Sequence, residues 1–235
     1  MSRAASPGRV RSFYTVMGLA ISAIVLIGFS RSYFLRPWLE LPPLTMRLHF
    51  HGLVMTLWLG LFLVQTRLVA AGRRGIHKAL GFAGLALAAI AIAATYAAAM
   101  EAARLEPARG GISSADRLYS SVVILVLFAG FVTAGAAFRR RREVHRRLML
   151  LASMAIVGPG ATRAVRLIVG HGIPDSHIPV MVALILSALA YDWRTRGRPH
   201  WVLVAGGLLL IASQLTRRLV GGSHLWAQIG GWLIG

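Results

Sequence analysis

The sequence contains no cysteine. This absence excludes disulfide bonds, thiolate catalysis and cysteine-ligated metal or iron–sulfur sites, so any metal or haem must be bound by His, Met, Tyr or carboxylate side chains. Acidic residues are also scarce, with 7 Asp and Glu against 26 Lys and Arg. These carboxylates lie too far apart in sequence to propose a paired general acid and base, and no zincin, serine-hydrolase or Walker motif is present.

Charge of either sign is sparse for a chain of this length. Only 14% of the 235 residues are charged, 57% are hydrophobic, and the mean hydropathy is +0.67. Such a chain cannot cover a water-soluble globule with polar surface, so we expect an integral membrane protein. The formal net charge of +19 comes mostly from short Arg clusters between apolar runs. We therefore expect anionic lipid headgroups as partners and no nucleic acid.

Apolar runs of the length that a helix needs to cross a bilayer predict an all-α bundle of seven transmembrane helices. The first run follows a basic start, as in a signal peptide, but Tyr33 and Trp38 follow it in place of a small-residue cleavage site, so we interpret it as a spanning helix. Short connections between the runs favour one transmembrane domain over residues 1–235. The predicted helices are 12–34, 48–70, 79–100, 117–138, 148–170, 178–193 and 200–219.

The distribution of basic residues predicts the orientation of the bundle. With the N-terminus in the cytoplasm, the cytoplasmic segments hold fifteen of the 26 basic residues, and the opposite segments hold five of the seven acids. Seven helices then place the C-terminus in the periplasm. We expect a multi-pass protein of the bacterial inner (plasma) membrane.

Three basic turns that end in histidine indicate an internal repeat. They contain His77, His145 and His200, and each opens the next helix, so the last six helices are predicted to form three hairpins. These histidines have two interpretations. They cap helices at the membrane surface, or they converge as haem ligands, metal ligands or a proton relay.

A second set of histidines lies at the periplasmic ends of the helices. His49 and His51 are two residues apart and point to nearly opposite sides of a helix, so only one can face the bundle. His51 continues into a stripe with Met55, Trp58 and Gln65, which we predict to line a cavity, although core packing explains the Met and Trp equally well. The remaining periplasmic histidines are His171, His177 and His224, and which of them faces the bundle stays open.

The fifth predicted helix contains a break and two arginines. Pro159 lies between two glycines near mid-membrane, and Arg163 and Arg166 follow it three residues apart on one face. Such a pair either extends to headgroups and acidic residues or binds an anion in a cavity, such as haem propionates, a lipid phosphate or an acidic substrate.

Several blocks carry a resemblance to known families. "HFHGLVMTLWLGLFLVQTRL", "GIHKALGFAG", "EVHRRLMLLASM" and "HWVLVAGGLLLIASQLTRRL" resemble a widespread family of bacterial seven-helix membrane proteins with a domain of unknown function. That resemblance implies a seven-helix fold, and because the family has no established activity it assigns no catalytic residue. More distantly, the chain is similar to b561-type cytochromes, which implies haem ligation by histidines from different helices near each membrane surface.

Two principal hypotheses follow. The first is a membrane redox or electron-transfer protein, an oxidoreductase if it is an enzyme, with b-type haem or a His-ligated metal ion and a redox partner or a second copy of itself. The second is a transporter or assembly partner without a cofactor. A membrane hydrolase with a His-bound metal is a third. Candidate cofactor ligands are His51, His171, His177, His77 and His145, with Arg163 and Arg166 for propionates, and candidate metal ligands are His49, His51 and His177.

Overall fold

A computed structural model describes residues 7–105 and 114–234. Every regular element in these two ranges is helical, which confirms the predicted all-α class. Part of the basic N-terminal tail (residues 1–6) and the acidic Glu106, both used for the orientation prediction, lie outside them. The helices are α1 (Pro7–Phe29), α2 (Met46–Ala70), α3 (Arg74–Leu105), α4 (Ser114–Ala137), α5 (Arg142–Ala155), α6 (Gly158–Val169), α7 (His177–Arg196), α8 (Trp201–Leu215), α9 (Arg217–Gly221) and α10 (His224–Ile234).

Five helices are long and apolar enough to cross a membrane, and α5 with α6 makes a sixth if the bent pair is one span. The chain is therefore a multi-pass membrane protein. The last predicted span corresponds to α8, which has 15 residues and is shorter than the hydrocarbon core is thick. The five spans are Phe13–Phe34, Met46–Ala70, Arg74–Arg104, Arg117–Ala137 and His177–Arg196.

The predicted break in the fifth helix is present. The axes of α5 and α6 differ by 52°, and α6 opens on Gly158 and Pro159, where proline leaves no additional backbone donor unsatisfied. However, α5 begins at Arg142, six residues before the predicted start at residue 148. The hydropathy pattern excluded residues 142–147 from the predicted helix because four of them are charged. In the folded protein, Glu143 forms ion pairs with Arg146 and Arg147.

Helix α5 lies at the centre of the bundle. Leu150, Leu151, Met154 and the following Val157 are completely buried. It packs against α4, α8 and α1, while α6 packs against α1 and α7. The two halves of the broken helix therefore share α1 but differ in their other neighbours, and the break redirects the chain from α4 and α8 toward α7.

Two glycines allow α1 and α6 to approach closely. A methyl group on Gly28 would overlap the carbonyl group of Gly160, and one on Gly160 would lie 2.9 Å from the Cα atom of Val25. Small residues at such crossings let backbones pack directly, which is a principal source of helix association in membranes. The first turn of α6 is thereby held against α1.

We predict that Gly28→Ala lowers the melting temperature of the purified protein by several degrees. The added methyl group must push apart two backbones, and overpacking of this kind costs about 1–3 kcal/mol. The measurement is a thermal melt in detergent. Gly130→Ala is the matched control, because a methyl group there meets nothing within 4 Å. Equal melting of Gly28→Ala and wild type would contradict the close crossing.

Candidate functional site

Two ends of the bundle carry different polar groups. We call the end with the turns around residues 72, 140 and 198 the basic end. The opposite end contains a cavity of about 610 Å³, within the usual range for small-molecule and cofactor sites. We call it the outer cavity. Its walls come from α1, α2, α3, α4, α6 and the π-helical turn Ser30–Phe34 that follows α1.

The outer cavity is apolar inside and polar at its rim. Leu59, Phe128 and Ile156 form its inner wall. Tyr33 and Arg36 lie at its rim, in the two short helical turns that follow α1. The π-helical turn is one of the wall elements, and such turns are frequent at functional sites because they redirect side chains within a helix. The shape and polarity suit an amphipathic ligand whose charged end faces the membrane surface.

His51 lies in the wall of the outer cavity with a fixed ring orientation. Its Nδ1 atom is 3.3 Å from the Thr95 hydroxyl, and that hydroxyl donates its own hydrogen to the Ala91 carbonyl at 2.7 Å. The hydroxyl therefore accepts from His51, so Nδ1 carries the ring proton and Nε2 carries the lone pair. Among the described residues Nε2 has no hydrogen-bond partner. A histidine with one nitrogen bonded to the protein and the other open is typical of a ligand to iron or zinc.

Of the two predicted arginines, only Arg163 lines the outer cavity. Its guanidinium lies over the Phe29 ring at 4.5 Å and donates to the Pro159 carbonyl at 3.0 Å. Both side chains are exposed, but Arg166 is not part of the wall. The structure therefore does not place the predicted pair together at the cavity.

The predicted stripe on α2 lines the cavity only at its start. Met55 is in the wall, whereas Trp58 is buried in the core, where its ring packs edge-on against Phe128 at 4.9 Å. Gln65 lies nearer the basic end and does not touch the cavity. The wall of this cavity on α2 extends from Leu48 to Leu59 and includes neither Trp58 nor Gln65.

The predicted metal set His49, His51 and His177 is not brought together. His177 is buried on the other side of α6, where its Nε2 atom donates to Gln214 at 2.9 Å and its Nδ1 atom lies 3.4 Å from Thr162. Each ring nitrogen of His177 thus has a polar partner within the protein. His49 and His171 are exposed. Within residues 7–105 and 114–234, no three His, Cys, Asp or Glu side chains are placed to hold a metal ion.

The histidines of the basic end separate into a pair and a cap. The rings of His77 and His145 lie 6.2 Å apart, so the structure brings these two predicted ligands together. His200 instead caps α8, with its Nδ1 atom accepting from the Val202 amide at 3.2 Å. Burial and the nearby guanidinium groups of Arg147 and Arg196 lower the pKa of His200, which keeps the ring neutral and the cap intact.

A buried ion cluster at the basic end was missed by the sequence reasoning. Arg147 and Asp192 are completely buried and form a two-pronged ion pair. Arg147 also donates to Glu143 at 2.8 Å, and Arg196 donates to the same carboxylate at 2.7 Å. The signal in the sequence is Asp192, one of seven acids, at the end of an apolar helix whose neighbours are arginines.

Comparison with known proteins adds no assignment to this geometry. No family model, no curated protein and no solved structure matches the chain.

We predict that Arg147→Leu and Asp192→Leu each destabilise the protein by about 3–5 kcal/mol, because each removes one member of the completely buried pair and leaves the other charge in place. The double variant recovers most of this loss, since it removes both charges. Thermal melts of the purified variants measure the effect. A double variant that melts at the sum of the two single losses would contradict a direct pair.

We also predict a pH-dependent contribution of His200 to stability. Because its pKa is lower in the folded protein, the cap stabilises above the ordinary histidine value of about 6.5 and is lost as pH falls below it. Melting temperatures between pH 7.5 and 5 should therefore fall less in His200→Asn, which keeps a cap acceptor that does not titrate. The same pH dependence in both proteins would refute this contribution.

Proposed function

We propose that this chain is a membrane redox protein whose outer cavity binds b-type haem, with His51 as the axial ligand. The observation that carries the proposal is the His51 ring in the cavity wall, whose Nδ1 proton is directed to Thr95 while Nε2 has no partner among the described residues. A haem held by one histidine supplies one-electron or oxygen chemistry, depending on the polarity of its pocket. If the protein is an enzyme, it is an oxidoreductase.

The rest of the outer cavity fits the two chemical parts of a haem. The apolar inner wall suits the macrocycle, and the guanidinium groups of Arg163 and Arg36 at the rim suit propionates. Arg36 already donates to the Pro42 and Ser32 carbonyls, which holds its side chain at the rim. Arg166 lies outside the wall and is available for lipid headgroups.

The positions of the other histidines limit the number of haem ligands in the outer cavity. His177 uses both ring nitrogens elsewhere, and Met55 lies one turn from His51 on the same side of the cavity. His51 would therefore be the only one of these side chains to hold the haem iron in this cavity.

We further propose the complete topology from the charge distribution. It consists of seven spans with α8 as the last, three hairpins after α1, the N-terminus in the cytoplasm and the C-terminus in the periplasm of a bacterial inner membrane. The ion pairs at the basic end leave most of its arginines for anionic headgroups. In this orientation the outer cavity opens toward the periplasm, where a redox partner or a second copy would approach.

A second candidate function is transport of an amphipathic acid without a cofactor. The 52° bend between α5 and α6 places irregular backbone beside the outer cavity, where Ile156 and Pro159 are in the wall. Non-helical backbone at membrane depth is typical of substrate pathways in transporters. Here Arg163 would bind the acid group, and His51 would donate to it.

The experiment that separates the two is titration of the detergent-purified protein with haemin, followed by the visible spectrum. We predict one equivalent of bound haem with a Soret band in wild type, and loss of that band or at least about tenfold weaker binding in His51→Ala. His49→Ala is the matched control, since this exposed histidine is two residues away and should leave binding unchanged.

Thr95→Val adds a test of the ring orientation. It removes the hydroxyl that holds Nδ1 and should weaken haem binding about 10–100-fold, as is usual for partners of metal ligands. The redox proposal would be contradicted if the wild-type protein bound no haem, or if His51→Ala bound haem as tightly as wild type. Saturable binding of a fatty acid in place of haem, lost in Arg163→Gln, would favour transport.

A further inference from the structure

His77 and His145 form a second candidate site, separate from the outer cavity. His77 lies in the first turn of α3, His145 lies in the first turn of α5, and both rings are partly buried. Their centres are 6.2 Å apart, and the ring planes are nearly perpendicular at 79°. The two imidazoles are thus arranged edge to face and are not stacked.

The proton of His145 is fixed by the backbone. Its Nδ1 atom is 2.8 Å from the Gly135 carbonyl oxygen, which can only accept, so Nδ1 donates. In the neutral ring the lone pair is then on Nε2. Metal-ligating histidines almost always donate their second nitrogen to a carbonyl or carboxylate in this way.

Two polar atoms on α2 and α3 are buried without a hydrogen-bond partner among the described residues. They are Gln65 Oε1 and His77 Nδ1. The amide of Gln65 is 4.0 Å from where a Cβ atom of Gly81 would lie, and Gly81 is one helical turn after His77 on the same face of α3. Buried polar atoms nearly always have a partner, so a ligand bound between His77 and Gln65 would satisfy both atoms.

We propose that His77 and His145 bind a copper ion in the +1 state, with Gln65 as a weaker oxygen ligand. A metal–nitrogen bond of about 2.0 Å and the half-width of an imidazole ring place the centres of two opposed ligand rings about 6 Å apart. The observed separation matches this value. Imidazole is a good ligand for copper, and Cu(I) accepts two nitrogen donors on opposite sides.

The charge of the surroundings selects the monovalent ion. The turns that carry the two histidines also carry Arg73, Arg74, Lys78 and Arg139–Arg142, and in the part of the chain that the structure describes no third His, Asp or Glu joins the two rings in a metal-binding group. Each positive neighbour repels a divalent ion twice as strongly as a monovalent one. A site made of neutral donors in a basic surface therefore favours Cu(I) over Zn²⁺ or Ni²⁺.

The test is competition for Cu(I) with a coloured chelator, under ascorbate and without oxygen. Wild-type protein is expected to withdraw one equivalent of Cu(I), and His77→Ala and His145→Ala are expected to withdraw none. His200→Ala is the matched control, because this third basic-end histidine caps α8 and does not join the pair. Gln65→Leu should weaken Cu(I) binding by about tenfold.

A second measurement covers the case in which a variant does not fold. X-ray absorption of copper-loaded wild type should show two nitrogen ligands at about 2.0 Å. Sulfur ligands from methionine, withdrawal of no Cu(I) by wild type, or equal withdrawal by both histidine variants and wild type would overturn the proposal. Haem binding by His77→Ala should equal that of wild type, so this inference and the proposed function succeed or fail separately.

Discussion

The buried ion pair of Arg147 and Asp192 is the interaction on which the basic end depends. Both side chains are completely inaccessible, and the Asp192 carboxylate also accepts from the His200 amide at 3.0 Å. One carboxylate thus joins α5, α7 and the start of α8. In a medium of low dielectric constant neither charge is tolerated alone, so these three elements cannot separate without a large cost.

Among the described residues the opposite end has no completely buried ion pair, and it contains the outer cavity. There the helix packing depends on close backbone contact and on the bend. The crossing of Gly28 and Gly160 holds α6 to α1, and the bend before Pro159 turns α6 away from the axis of α5. A straight α5 would continue the close packing of the basic end through the membrane. The break instead leaves space between α1, α2, α3, α4 and α6, and His51 faces this space.

Much of the fold is predictable from the sequence because the bilayer imposes length and polarity on each helix. The break at Pro159 and the exclusion of one member of the His49 and His51 pair follow from local geometry. The pairing of Arg147 with Asp192 does not, since it joins residues 45 apart. Nor does the use of both His177 nitrogens, which depends on Gln214 of a later helix. Such long-range contacts decide which polar residues are structural and which are free to bind a ligand.

The central claim is that the outer cavity presents one histidine ligand, His51, to a haem. Electron paramagnetic resonance of the haem-loaded ferric protein tests it most directly, because the spin state of the iron reports the number of strong axial ligands. With His51 as the one histidine ligand, we predict a high-spin spectrum typical of a single imidazole. A low-spin spectrum typical of two strong axial ligands, or no signal from protein-bound iron, would contradict it.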